Sequence, residues 1–459
     1  MIDADTVARH DLPGHLRSVP DEIEARDLPV TGALPADLAG RYVRNGPNAL
    51  PGTTTGHLQV GPGMLHGVRL RGGRAEWYRN RWVRSGAVCG RSFVTPDGRL
   101  DLAAANANTH VVRHASRVLA LVEVGFPQEV TPDLGTVGPC DFGGRLTTGM
   151  TAHPKRDPDT GELHFFGYGM RPPFLTYHRL DAAGRLVRSR EVGVPAGTMM
   201  HDFAITEHHV VWLDLPMTFD LARVGRGMPY GWDDSYGARL GVMRHDVPDA
   251  PVQWFDIEPC FVFHVGNAHE DAAGRVVLDA VRYTRDEFVA LWELLSRTIT
   301  PPPPSAPPVG RGHLHRWTLD PGSGKVAEER LDDRAVEFPT LDDDRVGRPS
   351  RYLYTVTGTE PLSKVKSSIV KYDASGAVTA WDMGPDTMLG EAVFVPAGGS
   401  GGGARGEDDG WLITIATTRD GTASRLLVLD ATDVAAGPVA TVELPRGVPT
   451  GFHGSWLPD

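Results

Sequence analysis

Cysteine is scarce in this chain. Only Cys89, Cys140 and Cys260 occur, far apart and with no CxxC pair among them. That scatter argues against a disulfide scaffold and a thiolate metal site, and it fits a reducing compartment. Long apolar runs are missing too. No stretch of about 18 apolar residues exists, so no membrane-spanning helix is expected. Basic runs are also absent. The chain has 46 Lys and Arg against 58 Asp and Glu, a net charge of −12, which argues against nucleic acid or anionic lipid as the main partner. The opening MIDADTVARHDLPGHLRSVPDE is polar and acidic and lacks the apolar centre of a signal peptide. A cytoplasmic location is expected, with peripheral contact at a membrane as an open addition. Helical periodicity is equally scarce, and that absence directs attention to strands.

Short strand patterns run along almost the whole chain. VRLRGGRAEWYRNRWVR has the form of a hairpin about Gly72 and Gly73, and HVVRHASRVLALVEVGFP that of two strands with a turn near Ala115 and Ser116. DAAGR occurs twice, and DPGSGK and DASGA repeat the same acid-to-glycine turn between apolar segments. Turns every 8 to 12 or so residues with few helical patterns predict an all-β architecture. At 459 residues the chain has room for about seven four-stranded units of the size found in propellers. The expectation is therefore a single seven-bladed β-propeller domain over 1–459, with short helical and loop insertions covering one face. Residues 1–32 show little periodicity and are expected to lie over the surface as an N-terminal segment.

Two stretches break the strand pattern. DEFVALWELLSR (286–297) places Phe288, Val289, Leu291, Trp292, Leu294 and Leu295 at helical spacing. It predicts a short helix packed on the propeller, with a membrane-touching amphipathic patch as the rival. TPPPPSAPPVGRG (300–312) predicts an extended loop, and GGSGGGARGEDDG (398–410) a hairpin tip.

Four of the 18 histidines stand in strand contexts: His153, His201, His264 and His453. The gaps are 48, 63 and 189 residues, and the last is three times 63, which suits contributions from separate blades. Four neutral imidazoles make a site for iron, copper, zinc or nickel. Glu123, Glu337 and Glu391 lie in equally apolar stretches, where an unpaired carboxylate is costly. Such carboxylates suit the outer nitrogens of metal-bound histidines, although Arg334 is a rival partner for Glu337. His66 and His110 are assigned structural roles, His208 and His209 a turn, and His269 the opposite strand face from His264.

The ordered motifs GRYVRNGPN (40–48), GMLHGVRL (63–70), YRNRWVR (78–84), ANTHVV (107–112), LALVEVGFP (119–127), TAHPKRDPDTGELHFFGY (151–168), MHDFAIT (200–206), FHVGNAHED (263–271), EFP (337–339), GEAVFVP (390–396) and HGSW (453–456) carry a resemblance. The chain resembles the carotenoid cleavage oxygenase family along nearly its whole length. The resemblance implies a seven-bladed propeller with Fe(2+) on its axis, held by His153, His201, His264 and His453, and behind them Glu123, Glu337 and Glu391. It also implies an O2-dependent dioxygenase that cleaves a conjugated C=C bond of a carotenoid or apocarotenoid to carbonyl products, with two oxygen atoms incorporated. No catalytic residue beyond the metal centre is implied. Stilbene-cleaving members carry a lysine where this chain has Val122, which counts against a 4-hydroxystilbene substrate.

Aromatic residues should line the route to such a centre, and Phe261 and Phe338 are the candidates adjacent to His264 and Glu337. The alternatives are a stilbene- or phenylpropenoid-cleaving dioxygenase of the same family, a non-catalytic binding propeller, a hydrolase using another metal, and a Lewis-acid isomerase. Expected partners are O2 and an apolar conjugated small molecule, with oligomeric state open.

Overall fold

The acid-to-glycine turns show how local sequence sets up the strands. In both DAAGR segments the aspartate side chain accepts two backbone N–H bonds: Asp181 from Ala183 and Arg185, Asp271 from Ala273 and Arg275. The glycines that follow, Gly184 and Gly274, take φ of 77° and 75°, a region open to glycine without a Cβ clash. Gly72 and Gly73 likewise have φ of 54° and 71°, as the two-residue hairpin between Gly63–Arg71 and Arg74–Trp82 requires.

The computed structural model describes residues 14–53, 59–224, 228–296, 311–359, 365–398 and 405–459. Its strands form seven sheets of four or more strands, the seven blades, together with one two-stranded ribbon. Blade 1 runs outward from Gly454–Pro458 through Gly40–Pro47, Gly63–Arg71 and Arg74–Trp82 to Glu24–Arg26. Blades 2, 3 and 4 begin with His110–His114, Lys155–Arg156 and Ala204–Ile205. Blades 5 and 6 begin with Phe261–Glu270 and Glu337–Thr340. Blade 7 begins with Thr387–Leu389 and Val393–Pro396, which both pair with Gly410–Thr418.

The ring closes twice. The C-terminal strand Gly454–Pro458 pairs with Gly40–Pro47 in blade 1, while Val30–Gly32 adds the outer edge of blade 7 by pairing with Pro438–Glu443. Glu24–Arg26 and Val30–Gly32 belong to the N-terminal segment expected over the surface, of which residues 14–32 are described. Its two short strands are exposed edges, but both are paired, and Leu16, Val19 and Leu28 are buried.

The predicted helix is α1, Arg285–Ser296. Phe288, Leu291, Trp292 and Leu295 are buried, with Phe288 stacked 3.9 Å from Phe261 and Trp292 Nε1 donating to the Tyr230 carbonyl at 3.0 Å. Burying a side chain such as Phe288 stabilises by about 1.5–3 kcal/mol, which fixes this apolar face on the propeller. No helix among the described residues is long and apolar enough to cross a membrane. Most of the predicted proline-rich loop, 300–310, lies outside the described residues, as do 399–404 of the predicted hairpin tip. The flanking strands of that tip pair antiparallel, as a hairpin requires.

Candidate metal centre on the propeller axis

The first strands of the blades bring chemistry to one place. His453 directly precedes the blade 1 inner strand, and His110 opens that of blade 2. His153 lies two residues ahead of the blade 3 strand and His201 three ahead of that of blade 4. His264 lies within the blade 5 strand, Glu337 opens that of blade 6, and Glu391 sits between the two first strands of blade 7. Each blade therefore places one titratable residue at or near its first strand, and Glu123 lies in the loop after Arg117–Leu121 in blade 2.

All four predicted histidines converge. His153 Nε2 lies 3.1 Å from His201 Nε2, which lies 3.4 Å from His264 Nε2. His453 stands with its ring centroid 4.7 Å from that of His153 and 4.8 Å from that of His264. Nitrogens about 2.0–2.1 Å from one ion and at right angles to each other sit about 3 Å apart, so this spacing fits a common metal. The histidine nitrogens of 153, 264 and 453 fall within 4.8 Å of one another, as do the donor atoms of Glu123, His153 and His201.

The three predicted glutamates hold the outer nitrogens. Glu123 meets His201 Nδ1, and its other oxygen accepts from Tyr168 Oη at 2.5 Å. Glu337 accepts from His264 Nδ1 at 2.5 Å, from Tyr283 Oη at 2.7 Å and from the Phe338 N–H at 2.7 Å. Glu391 faces His453 Nδ1 at 3.3 Å and accepts the Gly454 N–H at 2.8 Å. A proton fixed on Nδ1 leaves the Nε2 lone pair free for a metal. Arg334, the rival partner for Glu337, instead pairs with Asp332 at 2.7 Å.

Electrostatics favour the same arrangement. Burial pushes His153 well below the ordinary histidine pKa, and the neighbouring imidazoles add to the effect, so this ring is neutral. Burial also lowers His264, partly offset by Glu337. For His201 burial acts downward, but Glu123 outweighs it and the net shift is upward. Glu337 and Glu391 are pushed up by burial, yet the adjacent His264 and His453 hold them below the usual carboxylate value. Ionised Glu337 and Glu391 therefore stand behind His264 and His453.

Phe338 stacks on His264 with ring centroids 5.2 Å apart and lies 5.5 Å from His453. Its backbone has φ of 51°, a costly conformation for an aromatic residue. The bond from its N–H to the Glu337 carboxylate holds it there. Phe261 is buried and stacks on Phe288 of α1, and Phe263, two residues on, meets His201 at 5.0 Å. Register breaks in this strand between Val262 and Val265 and between Val265 and Asn267 upset simple alternation.

His110 is a fifth imidazole beside the centre, 5.0 Å from His453 between centroids, with Nδ1 bonded to the Ala152 carbonyl at 2.9 Å. Burial and then His453 lower its pKa to about 4. Its blade-opening position was the signal for this placement. His66 bonds Tyr78 Oη within blade 1 at 2.9 Å. The expected turn holds at His208, in the tight connection between Ala204–Ile205 and His209–Asp214, while His209 itself opens the second strand and bonds Glu270 at 2.9 Å. Chain order hides that partner 61 residues away.

Fold and site together define a class: a seven-bladed propeller with a candidate metal site of four axial imidazoles, three of them backed by carboxylates. Comparisons with known proteins agree. The retinal pigment epithelial membrane protein family matches residues 16–458. A carotenoid cleavage oxygenase of Mycobacterium tuberculosis is 39% identical over 97% of both chains. A carotenoid 9,10(9′,10′)-cleavage dioxygenase of Crocus sativus is 31% identical over 98% of this chain and 89% of its own. Among solved structures, a lignostilbene dioxygenase of Pseudomonas brassicacearum superposes with a TM-score of 0.85 at 27% identity, covering 98% and 99% of the two chains. Cobalt-substituted apocarotenoid oxygenase of Synechocystis does so with a TM-score of 0.81 at 28% identity, covering 96% and 97%.

The chain belongs to the carotenoid cleavage oxygenase (retinal pigment epithelial membrane protein) family. By class it is an enzyme, a dioxygenase of the carotenoid-cleavage type.

Proposed function

We propose that this chain is a non-haem Fe(II)-dependent dioxygenase that cleaves one conjugated C=C bond of a carotenoid or apocarotenoid. One O2 is consumed per bond and one oxygen atom ends in each of two carbonyl products. His153, His201, His264 and His453 are the ligands of the ion. The observation that carries this reading is the convergence of the four imidazoles with three outer nitrogens fixed by Glu123, Glu337 and Glu391. Bound ferrous iron supplies the electron density that lets O2 react with a closed-shell alkene.

The residues themselves do the positioning. The carboxylates keep protons on Nδ1 of His201, His264 and His453, so that the four histidines would hold the ion through Nε2 and leave it accessible to O2. Phe263 and Phe338 give the centre apolar walls suited to a polyene. The chemistry asks for no side-chain acid or base.

A second reading is cleavage of a stilbene, favoured by the fold shared with the lignostilbene dioxygenase. Val122, half-buried beside Glu123, offers no cation for a phenol and counts against it. The test is anaerobic purification with metal analysis, then incubation of the iron-loaded protein with apocarotenoids and with 4-hydroxystilbenes under 18O2. The expected result is near-stoichiometric iron and labelled aldehydes from the polyene. Protein that takes up no ferrous iron, or gives no O2-dependent product from a polyene, would overturn the proposal.

A further inference from the structure

Several polar side chains outside the ligand set connect the loops that carry it. Lys155 Nζ meets Asp202 Oδ1 at 2.7 Å. Asp202 Oδ2 accepts the Val265 N–H at 2.8 Å, and Oδ1 also accepts the Phe203 N–H at 2.8 Å. Lys155 follows His153 by two residues, Asp202 is next to His201, and Val265 is next to His264. One carboxylate, with its side chain only 2% exposed, therefore joins blades 3, 4 and 5 beside three ligand positions.

The fourth position is tied in from the other side. Asn45 in blade 1 donates its N–H to the His453 carbonyl at 3.0 Å and accepts the Phe452 N–H at 2.9 Å. Its side-chain amide donates to the carbonyls of Ala107 at 2.9 Å and His110 at 3.2 Å in blade 2. The His110 ring then bonds the carbonyl of Ala152, the residue before His153, at 2.9 Å. The chain of contacts runs unbroken from the His453 loop to the His264 strand.

We infer that Asn45, His110, Lys155 and Asp202 form a polar belt that sets the spacing of the four imidazoles and so governs how tightly the centre holds its metal. The inference rests on the ligation proposed above. These are positioning residues, and none belongs to the proposed ligand set. A buried ion pair such as Lys155–Asp202 adds little net stability compared with apolar side chains of the same volume. What it supplies is direction: three donors aimed at one carboxylate fix three backbones from different blades. The imidazoles meet a shared point only if those backbones keep their offsets.

The test uses apoprotein loaded with Co(II), whose visible absorption reports ligand geometry. Asp202→Asn breaks the charge pair with Lys155. His110→Phe removes the donor to Ala152, whereas His110→Gln can still provide one. Asp202→Asn and His110→Phe are expected to lose metal to a chelator about 10- to 100-fold faster than wild type, the range for residues that orient ligands. Their cobalt bands should shift and their metal-induced gain in melting temperature should shrink, beyond any loss in apoprotein melting. His110→Gln should recover most of the wild-type behaviour.

A purely structural role would lower apo and loaded melting equally and leave band and exchange rate alone. If Asp202→Asn does not fold, the Lys155→Met/Asp202→Asn double variant, which removes both charges, takes its place. Wild-type exchange rates and bands in the folded Asp202 and His110→Phe variants would overturn the belt. Wild-type protein that binds no cobalt would overturn the ligation reading itself, a distinct outcome.

Discussion

Replacing Glu337 by Gln separates the charge of an outer carboxylate from its position. Glu337 is buried and accepts from His264 Nδ1 and the Phe338 N–H on one oxygen and from Tyr283 Oη on the other. A glutamine oxygen can take the first two donors while its NH2 turns to the tyrosine oxygen, so the geometry survives and the charge is lost. The carboxyl is ionised at neutral pH, because His264 holds its pKa down against burial. A hydrogen bond to a charged group contributes roughly 1.5–3 kcal/mol and a neutral one roughly 0.5–1.5 kcal/mol. The difference, about 1–1.5 kcal/mol, corresponds to about 5- to 12-fold in metal affinity, near the lower edge of the about 10- to 100-fold seen for such partners. Glu337→Ala orphans all three donors and should weaken binding further. The assay is anaerobic titration of apoprotein with Fe(II) or Co(II) against a chromophoric chelator. Wild-type affinity in folded Glu337→Gln protein would refute the reasoning that this charge reaches the metal through His264.

His201→Ala and His453→Ala should each lose most bound iron and all O2-dependent cleavage while circular dichroism still shows the propeller; full activity in either would remove that ligand. Gly454→Ala places a Cβ 2.5 Å from Tyr42 Oη, so the His453 loop must shift; a cost of about 1–3 kcal/mol is expected by denaturant unfolding, with reduced iron content. Phe338→Ala removes the ring stacked on His264 and should raise KM for a polyene with kcat less affected, and Phe338→Gly, which also relieves the positive φ, should melt no lower than Phe338→Ala; steady-state kinetics and melting decide. Burial raises the Glu270 pKa, but bonds from His209, Thr206 and the His208 N–H overrule it and bring it to about 2, from an ordinary 4.5. A depressed carboxyl stabilises above its unfolded pKa and loses that contribution as pH falls through the folded one. Glu270→Gln should therefore melt below wild type at pH 7, and the gap should close between about pH 4.5 and about pH 2.

Much of this molecule was legible because the signals are local. Alternating apolar residues and acid-to-glycine turns needed no partner to be recognised, and the hairpin at Gly72–Gly73 and both DAAGR turns formed where chain order placed them. The helix was equally plain, since Phe288, Leu291, Trp292 and Leu295 repeat at its period. The four histidines and three glutamates stood out because titratable side chains interrupt apolar stretches, where an unpaired polar group is costly. Pairings across the ring were hidden. The edge strands within 24–32 lack an apolar pattern because their partners, not their own side chains, hold them.

The sequence by itself determined the strands, the turns, the helix and the chemical types available at the centre, because these depend on neighbours a few residues away. Tertiary structure alone decided which glutamate serves which histidine, that Phe263 rather than Phe261 meets His201, and that His110 and Asp202 stand beside the ligand positions. Those contacts join residues from different blades, up to 343 positions apart where His110 meets His453. They exist only once both ends of the chain have closed the ring, and register breaks in the strand of His264 set side-chain directions that regular alternation does not predict.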